Sequence, residues 1–595
     1  MTTFRVWAPW PERVELALTA VDGSHPSKQA RESAVPESRL RRWPMTREGG
    51  GWWSADVPDA APGTDYGFVL DDEGPFPDPR SPWQPHGVHG LSRTVDHATF
   101  AWSDAQWRPI ALDRAVIYEL HVGTFSAAGT FDGAIDHLDH LVALGVTHVE
   151  LMPVVEFPGT RGWGYDGVDL FAPHHAYGGP DGLKRLVDAC HLHGLAVLID
   201  VVWNHLGPDG NYLGRFGPYF SERYHTPWGV AVNFDAAGSD EVRAFVLENA
   251  RQWLEDYHAD GLRIDAVHAI FDQSATNILE AVAAHVHALA ERLGWPLVAI
   301  AESDLNDPRL VRDVEHGGYG LDAQWNDDFR HALHVALTGE ADGYHAQFNG
   351  LEDLATSLRQ VFVYDGRYSA FRDRSHGRPV GDLSATRFVG FLQNHDQIGN
   401  RALGERIGHL VSPEAVRAAA AIVLLGPFVP LLFAGEEWDA SSPFQYFTDH
   451  EDEALASAVR DGRRQEFAAL HRTGIEVPDP QSTATFERSK LNWSERLRTP
   501  YAETLAWYQQ LIEFRADHPA LGDGSRPDVT ANAAERWMSI ARPGIRVLAN
   551  LGSVDLTIPV EGSWEVSLAS SPGVVLDGAN IRLPGWAAAV LEVSG

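Results

Sequence analysis

Two rhythms of apolar residues run along the chain. Near its start, apolar positions come in short alternating runs: Val6, then Val14, Leu16 and Leu18, and later Trp52, Trp53, Tyr66, Phe68 and Leu70. Alternation broken at short intervals by Pro and Gly predicts strands, and residues 1–95 read as a small β-sandwich. The stretch PFPDPRSPWQPHGVHG (75–90) is too rich in Pro and Gly for either regular element and is expected as an ordered loop or linker.

Over residues 96–521 the rhythm changes to strand, then helix, repeatedly. Apolar runs that fit buried parallel strands occur at AVIYEL (115–120), THVELMPV (147–154), AVLIDVVW (196–203), GLRIDAV (261–267), LVAIAES (297–303), FVGFLQN (388–394) and VPLLFAG (429–435). A weaker one, DAQWN (322–326), makes eight. Between them Val242, Phe245, Val246, Trp253 and Tyr257 recur at helical spacing, and Ser412-Pro413-Glu414 is a strong helix start with a stop near Gly426. Eight strands alternating with helices predict an α/β fold, a (β/α)8 TIM barrel; a doubly wound open sheet is the alternative. After a turn-rich GDGSRPD (522–528), residues 529–595 return to strand-like runs (IRVLANL, VDLTIPV, WEVSLAS, AAVLEVS) and predict a small C-terminal β-sandwich.

Composition narrows the function classes. Hydrophobic residues at 44% and charged residues at 22% are those of a globular protein. The formal net charge of −35 argues against nucleic acid or an anionic membrane as partner. A single cysteine, Cys190, excludes an internal disulfide and a thiolate metal centre, and no metal or cofactor is expected. MTTFRVWAP does not read as a signal peptide and no apolar run approaches a membrane span, so a cytoplasmic protein of unknown oligomeric state is expected.

In such a barrel the C-terminal strand ends form the active site. Those ends carry Asp200 and Asn204-His205, Arg263 and Asp265, Glu302, and His395-Asp396. One Asp after a strand is a common loop starter, and Arg263 with Asp265 could be an ordinary ion pair. Several charged groups at one barrel mouth are costly unless paired or used. Glycoside cleavage needs such a set: one carboxylate to attack, a second group to give and take the proton, and donors to hold ring hydroxyls.

DVVWNH (200–205), GLRIDAVH (261–268), AIAES (299–303) and FLQNHD (391–396) resemble, in order and spacing, the four signature regions of the α-amylase family, glycoside hydrolase family 13. The FRVWAP opening also resembles the carbohydrate-binding β-sandwich that precedes the barrels of branching and debranching enzymes. The resemblance implies Asp265 as nucleophile, Glu302 as general acid/base and Asp396 as transition-state stabiliser. It implies that Arg263 keeps Asp265 ionised and that the charges of Asp265 and Asp396 keep Glu302 protonated. His205 and His395 would donate to sugar hydroxyls, Tyr165 would stack beneath the sugar ring, and Asp200 would support Arg263. Within the family, YELHVGTFS (118–126), EFPGTRGWGYDGVDLFAP (156–173), WNDDFRHALH (325–334) and NHDQIGNRALGER (394–406) are most similar to the trehalohydrolases of maltooligosyl trehalose. That likeness adds His268, Asn326, Asp327, Asp328, Gln397 and Asn400 to the cleft, although the WNDDF residues could equally cap a helix. The implied substrate is maltooligosyl trehalose or a related α-glucan, with VFVYDGRYSAFRDRSHGRP (361–379) as a candidate acceptor-side segment. An α-1,4-glucan branching enzyme and a non-catalytic glucan-binding scaffold are the alternatives.

Overall fold

The computed structural model describes residues 2–19, 40–58, 60–471 and 476–594. Within the regions expected as end domains, Met1, residues 20–39, Asp59 and Gly595 lie outside the described residues.

Eight parallel strands close into a barrel: β1 (Ile117–Leu120), β2 (His148–Leu151), β3 (Ala196–Val201), β4 (Gly261–Ile264), β5 (Val298–Ala301), β6 (Ala323–Trp325), β7 (Phe388–Phe391) and β8 (Val429–Phe433). The open sheet is thereby ruled out, because β8 pairs back onto β1 through Leu431↔Ile117 and Leu432↔Tyr118. Each apolar run of the sequence holds one strand. The runs overreach at their ends because pairing stops where the chain turns into the loops, at Leu151 in β2 and Val201 in β3. The barrel is filled by Ile117, Leu198, Ile300, Trp325, Phe391 and Leu431, a packed core rather than a channel. Above that layer, toward the C-terminal strand ends, the inward positions turn polar. Asp200 and Arg263 sit in register on β3 and β4.

The amphipathic run behind β3 forms a helix, Ser239–Arg251, that continues into a π-helical turn, Gln252–Asp256. The widened turn lets Trp253 and Tyr257 stay on the buried face with Val242, Phe245 and Val246. Ser412 caps the helix Pro413–Leu424 by accepting from the Ala415 N–H, with Pro413 in the first turn.

On the N-terminal side, a three-stranded sheet (Thr2–Trp7, Trp52–Val57, Thr46–Arg47) accompanies a five-stranded sheet built on Val14–Thr19 and Asp65–Leu70. Phe4, Val6, Leu16, Trp53 and Phe68 are buried in the core they share. Most of 75–90 is irregular, but Pro75 and Phe76 end an edge strand, Glu73–Phe76, the place in a sheet that tolerates proline. Nor is the segment a free linker, since Ser81 and Gln84 are fully buried and bonded to each other at 2.9 Å.

Residues 528–593 form a five-stranded and a three-stranded sheet packed through Leu548, Ile558, Ile581 and Leu591. Four of these strands (Asp528–Asn532, Trp537–Arg542, Val575–Asp577, Asn580–Leu583) escape a hydrophobic-run reading, being short or polar on their open face. Among the described residues no helix is long and apolar enough to cross a membrane.

Candidate active site

A cleft of about 480 Å3 opens at the C-terminal end of the barrel. Its floor is organised by one guanidinium. Arg263, fully buried at the end of β4, donates from Nη1 to both oxygens of Asp200 (2.8 and 2.7 Å) and to Asp265 Oδ1 (2.9 Å). Its Nη2 pairs with Glu302 Oε2 at 2.9 Å, and its face lies over the Trp325 ring at 4.3 Å. Removing this cation from water is costly, but three carboxylates and an aromatic face surround it and keep it charged. Arg263 therefore stands behind the cleft wall, beneath Asp265 and Glu302, and is not among the residues that line the cleft.

Asp265 is further held by Asn204, whose Nδ2 donates to Oδ2 at 2.7 Å and to the backbone carbonyl at 3.0 Å. Because the Asn204 amide gives its N–H to Asp265, its Oδ1 accepts from His205 Nδ1. Burial holds His205 neutral, with a pKa of about 4. Asp166 and the Tyr165 backbone carbonyl pull the other way. Glu302 is raised above the usual carboxyl range, by burial first and by the charge of Asp265 among the rest, against Arg263. Burial, rather than neighbouring charge alone, is thus the main reason that this acid keeps its proton. Asp396 is also raised, by its enclosure in the cleft, with His395 opposing; Asn400 donates to it at 3.2 Å.

His395 lines the cleft with both of its ring nitrogens engaged. Its Nδ1 and backbone N–H bind Glu119, and its Nε2 meets the Tyr165 hydroxyl at 2.8 Å. Burial disfavours its charge, but Glu119 outweighs that and raises the ring to about 9. An imidazolium donates from both nitrogens, so it orients Tyr165, which in turn donates to Asp200 Oδ2 at 2.7 Å. Asp200 is pushed up to about 7 by burial, with Arg263 pulling the other way.

The WNDDF residues divide. Asn326 is fully buried, accepts the Phe329 N–H as helix N-cap and donates to the Val361 carbonyl, so it is a cap and not a cleft residue. Asp328 lies at the cleft edge, but its Oδ2 accepts from Asn306 and from the Val363 and Tyr364 N–H groups, tying down the 361–379 segment. Asp327 alone faces the cleft with no hydrogen bond of its own, raised to about 8 by burial and then by Glu302, Asp304 and Asp396. His268 and Gln397 line the cleft.

Two clusters of metal-ligand type lie among the described residues, Glu156/His174/His175 and His334/Glu340/His345. The second is spent on internal bonds, whereas in the first Glu156 binds His175 and the His174 Nε2 has no hydrogen-bond partner among the described residues. His174 Nδ1 takes the Ala176 N–H, which leaves the ring proton on Nε2, the nitrogen nearer Glu156. Glu340 holds Arg401 through both oxygens, and His345 binds Arg330.

Residues 98–223 match the family described as alpha amylase, catalytic domain, and residues 519–590 match a domain of unknown function (DUF3459). Along 99% of both chains the sequence is 48% identical to the malto-oligosyltrehalose trehalohydrolase of Arthrobacter ramosus. The chain belongs to the malto-oligosyltrehalose trehalohydrolase family. The Saccharolobus solfataricus member is 45% identical over 96% of this chain and 94% of its own. A 1,4-alpha-glucan branching enzyme of Xanthomonas oryzae pv. oryzae is more distant, 29% identical over 79% of this chain and 66% of its own. Among solved structures, a putative alpha amylase from Salmonella typhimurium matches with a TM-score of 0.88 and 36% identity, over 99% of this chain and 97% of its own. As a member of the trehalohydrolase family, the chain is a glycoside hydrolase.

Several cleft residues of this family member were not singled out from the sequence. Trp228 stacks on His205 (ring centroids 4.6 Å apart) from the hairpin of Phe220–Thr226 and Gly229–Val232. Tyr446 comes from the loop after β8, Asp304 from the loop after β5, and Tyr344 from the short helix Gly343–Gln347. The acceptor-side candidate segment supplies Phe371 and Arg372, the latter bound to Asp304 at 2.9 Å. An isolated aromatic in a long loop carries no periodic signal, so nothing in the sequence marked Trp228 or Tyr446.

Proposed function

We propose that the chain hydrolyses the α-1,4-glucosidic bond next to the trehalose end of maltooligosyl trehalose, releasing trehalose with retention at the cleaved carbon. The observation that carries this is the shared guanidinium: Arg263 binds Asp265 and Glu302 at 2.9 Å each. That placement suits the roughly 5–5.5 Å carboxyl separation of double displacement. Asp265 attacks the anomeric carbon while Glu302 protonates the departing oxygen. A glucosyl ester forms on Asp265, and Glu302, now ionised, takes a proton from water as the water opens that ester. Asp396 faces the positive charge that develops on the sugar ring.

Specificity lies on the leaving side, where a 1,1-linked glucose pair must fit. Trp228, Tyr344 and Phe371 offer flat apolar faces, while Asp327 and Arg372 offer polar contacts. A plain glucan would leave some of those polar groups unpaired, which is the usual source of strong discrimination.

Product analysis on maltooligosyl trehalose beside a plain maltooligosaccharide of equal length tests the reading. The expected outcome is trehalose from the first, far slower cleavage of the second, and an α-anomer in the fresh digest by NMR. New α-1,6 linkages in amylose with maltooligosyl trehalose untouched would instead assign a branching enzyme.

A further inference from the structure

Immediately after β4 the chain does something costly. Ala266, the residue following Asp265, has φ 40° and ψ 51°, the left-handed region that L residues other than glycine avoid. Such strain survives only where the surroundings enforce it, and it concentrates at functional sites. Two flanking bonds do the enforcing. The Asp265 N–H still continues the sheet to the Val201 carbonyl (3.0 Å), whereas the Val267 N–H has turned to the Glu302 carbonyl (3.0 Å). Between them the Ala266 N–H points at the Glu302 side chain and donates to Oε2 at 2.8 Å.

That oxygen is the one that Arg263 Nη2 also approaches, at 2.9 Å. One carboxyl oxygen therefore meets two positive N–H groups, while Oε1 has no protein partner, in a side chain that lines the cleft. An oxygen facing two donors is the wrong one to carry a hydrogen. We propose that Ala266 is a positioning residue for the reaction: its left-handed backbone aims the peptide N–H at Glu302 Oε2 and so fixes the acid's proton on Oε1. The kink also ties the nucleophile's strand end to the acid's strand end. Atom by atom, Oε1 gives its hydrogen to the departing glycosidic oxygen and takes one back from the attacking water. Oε2 keeps the same two contacts throughout.

The inference rests on Glu302 being the acid/base. It is tested by the basic limb of the pH profile of kcat/KM on maltooligosyl trehalose, which reports the loss of the Glu302 proton. Replacing Ala266 by its α-hydroxy acid turns the peptide N–H into an ester oxygen and removes the donor. Losing a bond to the ionised form favours the neutral one, so the limb should move to higher pH by about 1 unit. Ala266→Val, whose branched side chain resists the left-handed region, should also move the limb upward and lower kcat by about tenfold or more. Ala266→Gly keeps both the N–H and the conformation and should hold the limb in place, with kcat within about threefold. A purely structural role would lower thermal stability in the ester and Val proteins without moving the limb. An active ester or Val variant with the parent's limb overturns the proposal. Glu302→Gln measured in parallel separates the two ideas: turnover retained there removes the acid/base assignment itself, whereas its loss beside an unmoved limb removes only the role of Ala266.

Discussion

The two ends of the barrel are built from the same chemistry and put to opposite uses. At the C-terminal end, Glu119 holds His395, which holds Tyr165, Asp200 and through them Arg263. At the N-terminal end, Asp104 and Asp260 clasp His191 from its two nitrogens, at 2.9 and 3.0 Å. Both imidazoles are buried, and both are raised to about 9 because carboxylates outweigh the cost of burying the charge. The difference lies in what is left over. Both Asp260 oxygens are taken, by Trp107 Nε1 (2.7 Å), by the Val197 N–H (2.8 Å) and by His191, and the Trp107 ring stacks on the imidazole. At the other end Glu302 Oε1 and Asp396 Oδ2 stay open toward the cleft, Asp396 Oδ1 alone being taken by Asn400. A structural network uses up its polar atoms, whereas a reactive one must keep some unpaired and bear the cost.

The contrast breaks most sharply at the open carboxyls. Asp265→Asn or Glu302→Gln should lower kcat for trehalose release by about 10^3-fold or more with little loss of fold; chromatographic assay of trehalose beside a thermal melt decides it. Turnover near the parent's in either protein would remove the role assigned to that carboxylate.

At the closed end the same kind of change should do the reverse. Asp260→Asn unpairs a buried charge and should cost about 3 kcal/mol in urea unfolding, with kcat within roughly twofold. The pH dependence of His191 has a definite sign. Its folded pKa, about 9, exceeds the ordinary value of 6.5, so its stabilisation is full below about pH 6.5 and fades as pH rises through about 9. The stability gap between the parent and His191→Gln should therefore be wide near pH 6 and much narrower near pH 10. A gap that grows with pH would contradict the imidazolium clasp.

The smallest effects sharpen the boundary between the two kinds of network inside one motif. Asn326→Ala removes a helix cap and should cost about 1 kcal/mol with KM unchanged. Asp327→Asn, one residue on, should leave the melting temperature alone and raise KM by roughly threefold. If the two phenotypes were exchanged, the division of that motif into cap and contact would be wrong.

Much of this was legible in the chain, and the exceptions are instructive. Buried parallel strands are apolar on both faces, so eight runs stood out, and even the three-residue β6 left a trace. The carboxylates that end these runs were visible for the same reason, as charges where the pattern called for none. The roles of His395 and Asn326 were not legible, because a histidine's donor or acceptor state follows from the partner of its other nitrogen. Nor does a side chain's residue type reveal whether it caps a helix or meets a sugar.

Local sequence, then, determined which elements form and which acids stand at their ends, since periodicity and burial act over a few residues at a time. Tertiary structure alone decided that Asp200, Asp265 and Glu302, drawn from three strands, would share one guanidinium. It alone turned Ala266 left-handed, because only the neighbouring strand supplies the contacts that outweigh the strain.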